Sequence, residues 1–166
     1  MRDPRLRQAL LVALVVVALD QITKAIVEHS MTLYESIPIL PGFSLTYIRN
    51  TGAAFGMLAG APSVLRLPLF LLVTAAAVWA LVSYLRATPA HRRMLVWALG
   101  GILGGAVGNF ICRIRYGEVV DFFHLHWGGW SWPMFNVADS AITVGVAIVL
   151  VESLRGGEPD AATTTR

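Results

Sequence analysis

The sequence predicts an all-α integral membrane protein with four transmembrane helices, and three observations support this fold class. Hydrophobic residues make up 56% of the 166-residue chain. Charged residues make up only 14%, whereas a soluble domain carries about 25%, so the charges are too few to cover a water-facing surface. Four segments are also apolar over the roughly 20 residues that a helix needs to cross a bilayer. The net charge of +3 comes without a basic run interleaved with aromatics, and no nucleic-acid partner is expected.

The predicted helices span residues 8–27, 67–85, 94–114 and 136–154. Helix 1 follows three arginines, as the apolar core of a cleavable signal peptide would. Its apolar run meets Asp20 and Lys24 instead of a small-residue cleavage site, so we interpret it as an uncleaved helix. Helix 2 carries Pro68, which we place in the first turn, where a missing N–H costs little.

Helix 3 is distinguished by its glycines. They are Gly100, Gly101, Gly104, Gly105 and Gly108. Their small-xxx-small spacing lets helices pack closely in lipid, so we expect close contacts along this helix. Gly108, which precedes Asn109, is also expected to give a substrate backbone room.

Two long connections separate the helices. Residues 28–66 contain a turn signal at Pro41-Gly42. After it, an apolar alternation over residues 43–48 indicates a strand. Residues 115–135 are rich in aromatic side chains, and their tryptophans are typical of a membrane–water boundary.

Lysine and arginine set the predicted orientation of the helices. The short segments on the N-terminal side of the membrane are denser in these residues than those on the other side, and cytoplasmic segments carry this excess. Both termini are therefore predicted in the cytoplasm, with residues 28–66 and 115–135 outside. Residues 1–155 are expected to form a single membrane-embedded domain, and residues 156–166, small and polar, a disordered cytoplasmic tail.

Polar residues gather at the predicted outer ends of three helices. They are Asp20 and Lys24 on helix 1, Asn109 and Arg113 on helix 3, Asp121 just beyond it, and Asn136 and Asp139 on helix 4. Asp20 and Lys24 are four residues apart and can pair on one helix face. Ionisable residues in membrane spans are costly and usually functional, so this convergence at one depth indicates an active site.

Two acids without a convincing metal site suit hydrolysis by paired aspartates that share one proton. One carboxylate takes a proton from water, while the other protonates or hydrogen-bonds the scissile carbonyl. Asp121 and Asp139 are the best pair, because they come from different segments and each lies at an outer helix end. Asp20 is interpreted as an orienting partner, since Lys24 can neutralise it.

Simpler interpretations of these acids stay open. Asp139 can serve as a cap of helix 4, because acids favour the first turn. Asp121 can be an ordinary loop acid, although its neighbours are apolar. Asp20 and Lys24 can form a purely structural ion pair.

Four motifs of this chain match, in order, those of one known family. They are DQITK at residues 20–24, NTGAAF at 50–55, GGAVGN at 104–109 with Arg113 and VVDF at 119–122, and FNVADS at 135–140. On these residues the chain resembles the lipoprotein signal peptidase family, also called signal peptidase II or prolipoprotein signal peptidase. The resemblance covers residues 8–154.

The resemblance implies an aspartic endopeptidase of the bacterial plasma (inner) membrane. Such an enzyme removes the signal peptide of a prolipoprotein by cleaving before its diacylglyceryl-modified cysteine. Asp121 and Asp139 match the catalytic pair. The substrate-binding and site-supporting residues implied are Asp20, Lys24, Asn50, Gly52, Gly108, Asn109, Arg113 and Asn136. The resemblance also implies a small extracytoplasmic β-sheet/helix elaboration between helices 1 and 2. Lipid-modified prolipoproteins and membrane lipids are the expected partners, and the chain is expected to be a monomer.

One position departs from the family pattern. Cys112 stands where the family commonly has an aspartate before Arg113, and we expect this lone thiol to pack as a small apolar residue. His124 and His126 beside Asp121 give only a weak metal signal. No metal or other cofactor is predicted.

Two other classes of function compete with a peptidase. A small four-helix transporter driven by a membrane carboxylate predicts one key acid near mid-helix and short loops. Here the acids lie at helix ends and residues 28–66 form a long connection. A non-enzymatic assembly subunit leaves the convergence of polar residues unexplained.

Overall fold

The computed structural model describes residues 3–52, 62–89 and 91–155. These residues form four long helices: α1 at Pro4–Ser30, α2 at Ser63–Ala87, α3 at Arg93–Tyr116 and α4 at Val137–Arg155. By length and composition, all four can cross a membrane. The predicted set of four apolar helices is therefore confirmed.

The central helix is α3, which lies between α1 and α4. Its glycines allow this position, because a Cβ at Gly100 would lie 2.6 Å from the Ala9 carbonyl oxygen of α1. At Gly104 a Cβ would lie 2.7 Å from the Ala13 carbonyl oxygen, and Gly105 approaches the α4 backbone in the same way. The close packing predicted from the glycine spacing is thus confirmed.

The peripheral helix is α2, which packs mainly on α3. Its most apolar stretch contains no buried residue, and Leu69, Leu72 and Trp79 are among its exposed side chains. A helix that is apolar on its exposed surface suits contact with lipid. The placement of Pro68 in the first turn is wrong: α2 begins at Ser63, so the proline lies inside the helix.

The described residues also form one antiparallel sheet of four strands in the order β1-β2-β3-β4. The strands are β1 at Ser36–Leu40, β2 at Phe43–Asn50, β3 at Val119–Trp127 and β4 at Trp130–Ser131. The strand predicted over residues 43–48 is confirmed as part of β2. The prediction that the sheet lies between helices 1 and 2 is only half right, because β3 and β4 follow α3.

The central strands of the sheet, β2 and β3, come from two distant parts of the chain, one after α1 and the other after α3. Ile48 of β2 pairs with Asp121 of β3, so Asp121 lies on a strand and not in a loop. Val120 and Phe122 turn to the other face, where they pack on Val27 and other residues at the end of α1. The β-branched and aromatic residues of this segment suit a half-buried strand.

A glycine in the left-handed backbone conformation lies between α3 and β3. Gly117 caps α3 with φ of 72°, and its N–H donates to the Arg113 carbonyl oxygen. Glycine adopts this conformation without a Cβ penalty, and the chain can reverse at once into β3. The end of α3 and the start of β3 therefore lie side by side.

Some predicted features fall outside the described residues. The described part of the connection between α1 and α2 holds no helix, and residues 53–61 of this connection lie outside the described residues. Ala53, Ala54 and Phe55 of the second motif and the tail at 156–166 also lie outside the described residues.

Candidate active site

The predicted site residues meet around one cavity of about 1070 Å³. Six of them line it: Asn50, Gly52, Asn109, Arg113, Asp121 and Asp139. The other four lie behind this surface and contact the lining residues or the helix that carries them: Asp20, Lys24, Gly108 and Asn136. The structure therefore brings all ten together.

Asp121 is the most enclosed group of the cavity wall, with 1% of its surface exposed. Its Oδ1 accepts a hydrogen bond from Asn136 Nδ2 at 2.7 Å, and its Oδ2 accepts one from Asn50 Nδ2 at 2.9 Å. Burial, together with the negative charge of Asp139, raises the pKa of Asp121 to about 7. A carboxyl group in this range can carry a proton at neutral pH.

Asp139 approaches from the first turn of α4. Its Oδ2 accepts the backbone N–H of Asn136 at 3.2 Å, while Asn136 Oδ1 accepts the backbone N–H of Asp139 at 3.0 Å. This reciprocal pair is a capping box, so Asp139 does cap α4. The same contacts hold its carboxylate against the cavity, where Asn109 Nδ2 donates to Oδ1 at 2.8 Å.

Two asparagine amides join the carboxylates of Asp121 and Asp139. Asn136 Nδ2, which donates to Asp121, also lies 3.2 Å from Asn109 Oδ1. Asn109 in turn donates to Asp139. Because these amides bridge β3, α3 and α4, the carboxylate positions depend on all three elements.

Lys24 fixes which way the Asn109 amide points. Its ammonium lies 2.8 Å from Asp20 Oδ2 and 2.9 Å from Asn109 Oδ1, which confirms the predicted pair on α1. An ammonium can only donate, so Asn109 must turn its oxygen toward Lys24 and its nitrogen toward Asp139. The lysine is 2% exposed, and no bulk water competes for these bonds.

Asp20 joins α1 to the start of α4. Its Oδ1 accepts the backbone N–H of Ala138 at 3.0 Å, a favourable position for a negative charge at a helix N-terminus. At Gly108 of α3, a Cβ would lie 2.6 Å from Asp20 Oδ2. The prediction that Gly108 gives room to a substrate backbone is wrong, because the Asp20 carboxylate occupies that space.

Asn50 and Arg113 complete the polar wall. Asn50 Oδ1 accepts the Gly52 N–H at 2.9 Å, which directs its nitrogen toward Asp121. The Arg113 guanidinium lies 4.7 Å from the centre of the Phe70 ring on α2 and donates to the Gly52 carbonyl oxygen at 3.4 Å. The arginine therefore adds a positive charge to the cavity that holds both carboxylates.

Gln21 is a supporting residue that the sequence argument missed. Its Nε2 donates to Asp20 Oδ2 at 3.0 Å and to the Gly108 carbonyl oxygen at 3.1 Å. The signal was present, because Gln21 follows Asp20 directly in the first motif. The cavity wall at residues 132–135 had no local signal, since its position depends on the pairing of β3 with β4.

Cys112 is buried and free, and its Sγ lies 3.7 Å from Gln21 Nε2. We therefore expect Cys112→Ala to keep at least half of the wild-type activity, because only a small apolar contact is lost. Turnover of the purified variant, with and without a thiol-blocking reagent, checks this. Inactivity of a normally accumulating Cys112→Ala protein would instead reveal a chemical role for the thiol.

His124 and His126 face hydroxyl groups of the sheet. His126 Nε2 lies 3.0 Å from Ser44 Oγ, and His124 Nε2 lies 2.8 Å from Ser131 Oγ. Among the described residues, no three His, Cys, Asp or Glu side chains are grouped as metal ligands would be. These histidines therefore belong to the hydrogen bonding of the sheet.

A sequence model of the Signal peptidase (SPase) II family matches residues 12–155 of this chain. The chain belongs to the signal peptidase II family. Its relatives include the lipoprotein signal peptidase of Syntrophotalea carbinolica, which is 44% identical over 95% of this chain and 97% of its own length. The lipoprotein signal peptidase of Geobacter sulfurreducens is 46% identical over 82% of this chain and 85% of its own.

A solved structure of a membrane enzyme shares this fold. A bacterial membrane enzyme determined by the in meso method at 2.3 Å superposes with a TM-score of 0.83 and 32% identity. It covers 95% of this chain, and 94% of its own chain is covered. Membership of the signal peptidase II family makes this chain a peptidase, and its four long helices are apolar enough to span a membrane. The transporter alternative is not favoured.

Proposed function

We propose that the chain is an intramembrane aspartic endopeptidase that removes signal peptides from diacylglyceryl-modified prolipoproteins by cleaving before the lipidated cysteine. The observation that carries this proposal is the pair of Asp121 and Asp139. Their carboxylates come from different elements, are joined through Asn109 and Asn136, and share one cavity. The names of the relatives support the class of substrate.

The mechanism follows from the environments of the two acids. Asp121 has a pKa near 7, so it holds the shared proton and donates it to the scissile carbonyl oxygen. Asp139 is then the charged carboxylate of the pair, and it takes a proton from the attacking water. The water oxygen bonds to the carbonyl carbon. Asp139 then gives the proton it took to the leaving nitrogen as the C–N bond breaks, and Asp121 recovers its proton from a hydroxyl of the intermediate as the new carboxyl group forms.

The shape and composition of the cavity suit a lipidated substrate. Beside the two carboxylates, the wall is built largely from apolar side chains such as Ile48, Ile142 and Val144. Acyl chains can occupy this apolar part, while the peptide bond next to the modified cysteine lies against the polar wall. The exposed apolar surface of α2 suits the surrounding lipid. In this account the chain works as a monomer.

The expected topology places this cavity near the outer face of the bacterial inner membrane, with both termini in the cytoplasm. A reporter enzyme that is active only outside should be silent when fused to either terminus. The same reporter inserted near Ser36 of β1 should be active. Activity of the C-terminal fusion would contradict this arrangement.

The rate is expected to pass through a maximum with pH. Because the pKa of Asp121 is raised from the usual 3.8 to about 7, its proton is present below about pH 7 and is lost above it, so kcat/KM should fall as the pH rises through this value. At low pH the second carboxyl group also becomes protonated, and the base is lost. Rates measured between about pH 4 and pH 9 check this. An unchanged rate across the alkaline half would contradict it.

A cellular experiment tests the proposed function. The chain is expressed in a bacterium depleted of its own lipoprotein signal peptidase, and a prolipoprotein is followed by immunoblotting. Wild-type protein should convert the unprocessed form to the shorter mature form. Asp139→Asn, produced to the same level, should leave the unprocessed form in place. Equal processing by both proteins would contradict the proposal.

A further inference from the structure

Arg49 lines the cavity beside Asn50, and none of the roles described above uses the cluster of side chains around it. Arg49 Nη2 lies 2.6 Å from Glu28 Oε1, and its Nε donates to the Tyr47 hydroxyl at 2.8 Å. Its guanidinium carbon lies 4.8 Å from the centre of the Tyr116 ring. We call Arg49, Glu28, Tyr47 and Tyr116 the Arg49 clamp. It ties the ends of α1 and α3 to strand β2.

The Arg49 clamp contacts the end of β2 that extends beyond its pairing with β1. β1 pairs with β2 between Phe43 and Thr46, and backbone hydrogen bonds with Tyr34 and Glu35 extend this side as far as Tyr47. Among the residues that the structure describes, Arg49 and Asn50 are paired with β3 alone, and these are the last pairs of the ladder. The strand end next to Asp121 is therefore held by its pairing with β3 and by the side-chain contacts of the clamp.

Asn50 connects this strand end to the carboxyl group of Asp121. It follows Arg49 directly, and its Nδ2 donates to Asp121 Oδ2 at 2.9 Å. A small shift of the strand end lengthens this bond, because the side chain of asparagine is too short to compensate. An error of about 1 Å in the position of a group near a reaction can cost about 100-fold in rate.

The chemistry of the clamp suits an arginine specifically. Its planar fork makes an ion pair through Nη2 and a second bond through Nε while it stacks on a ring, which a lysine ammonium cannot do. The side chains of Arg49 and Glu28 are 26% and 17% exposed. The ion pair is therefore only partly screened by water.

We propose that Arg49 is a positioning residue of the peptidase, acting through Asn50 on Asp121 by fixing the end of strand β2 against α1 and α3. The proposal rests on the proposed function, because Asp121 must take part in the reaction. Neither the family motifs nor the paired aspartates require it.

The pH dependence gives a readout that a merely structural role would not change. The charged groups that influence Asp121 include Asp139 on α4, Lys24 on α1 and Arg113 on α3. Those near Arg49 include Glu28 and Glu118. The hydrogen bond from Asn50 lowers the pKa of Asp121 against the larger effect of burial, so losing that bond should raise the pKa.

The test compares Arg49→Gln, Asn50→Ala and the double variant as full-length protein in detergent, with a lipid-modified prolipoprotein. Arg49→Gln should lower kcat about 10-fold with little change in KM, within the range for a misplaced group. The alkaline limb of its pH profile should move to higher pH, as in Asn50→Ala. In the Asn50→Ala background, Arg49→Gln should add no further shift. Arg49→Lys should have a kcat close to that of Arg49→Gln, because lysine cannot replace the guanidinium.

Arg115→Gln is the matched control, because the Arg115 guanidinium lies 5.1 Å from the same Tyr116 ring but is exposed. It should leave kcat and the pH profile unchanged. If Arg49→Gln fails to accumulate, Glu28→Gln removes the ion pair while keeping the side-chain size, and it should move the alkaline limb in the same direction.

An unchanged alkaline limb in Arg49→Gln, or in Glu28→Gln where that variant is used, overturns the inference. The inference is also overturned if the double variant lowers kcat by the product of the two single effects, because the two residues would then act independently. Failure of the proposed function is a different result: wild-type protein would then not cleave the substrate, or Asp121→Asn would cleave it normally.

Discussion

Asp121→Asn and Asp139→Asn are each expected to lower kcat by about 10²–10⁴-fold, the range of a general acid or base. Asparagine keeps the shape of the side chain but cannot exchange the proton. The double variant should be scarcely slower than either single one, because members of one catalytic unit do not contribute independently. Steady-state rates of the three purified proteins on a lipid-modified prolipoprotein measure this.

Glu118→Gln is the matched control for the pair. Glu118 precedes β3 and lies three residues before Asp121 in the chain, but it does not line the cavity. It should keep the wild-type rate. All variants should accumulate and bind lipidated substrate, since the helices and the apolar wall are unchanged. A wild-type rate in either aspartate variant would refute the assignment, and Asp20 would become the next candidate.

Lys24→Met is expected to have the second large effect. It leaves the Asp20 carboxylate, which has 0% of its surface exposed, without its cation. Removing one partner of a buried pair costs about 3–5 kcal/mol of stability. Activity should fall as well, because the Asn109 oxygen loses the ammonium that fixes it. Thermal unfolding in detergent and the cleavage rate are the two measurements.

The double variant Lys24→Met/Asp20→Asn separates these two roles. It removes both charges, so no buried charge is left unpaired and part of the lost stability should return. The amide of Asn109 stays free to turn, and kcat should remain low. Full recovery of the rate in the double variant would mean that Lys24 serves only as the counter-ion of Asp20.

The helices and the convergence of polar residues could be predicted because their signals are local. Hydropathy over a window of one span identifies each helix. Once the helix ends are known, the positions of Asp20, Asn109 and Asp139 along them follow from spacing alone. The glycine pattern of α3 likewise reports its central place, because only close backbone contact requires it.

The sheet could not be predicted in full because its pairs are distant in the sequence. Ile48 of β2 pairs with Asp121 of β3, but neither segment contains a local signal that identifies the other as its partner. A bulge between Leu45 and Ile48 also shifts the register. The sequence therefore indicates only a connection over residues 115–135, although these residues supply two strands.

The roles of Asp20 and Gly108 were also beyond the sequence. Pairing of Asp20 with Lys24 follows from their spacing on one helix. The hydrogen bond from Ala138 to Asp20 joins α1 to α4, and it appears only when the helices are packed. Gly108 is required for the same reason, since its missing side chain leaves the space that Asp20 fills.

Mass spectrometry of the cleavage products tests the central claim most directly. Purified full-length protein in detergent is incubated with a lipid-modified prolipoprotein and, separately, with the same protein lacking the lipid. Two products are expected from the lipidated substrate: a free signal peptide and a protein that begins with the diacylglyceryl-cysteine. Asp121→Asn should give neither. Cleavage at another bond, equal cleavage of the unlipidated protein, or no cleavage by the wild type would contradict the account.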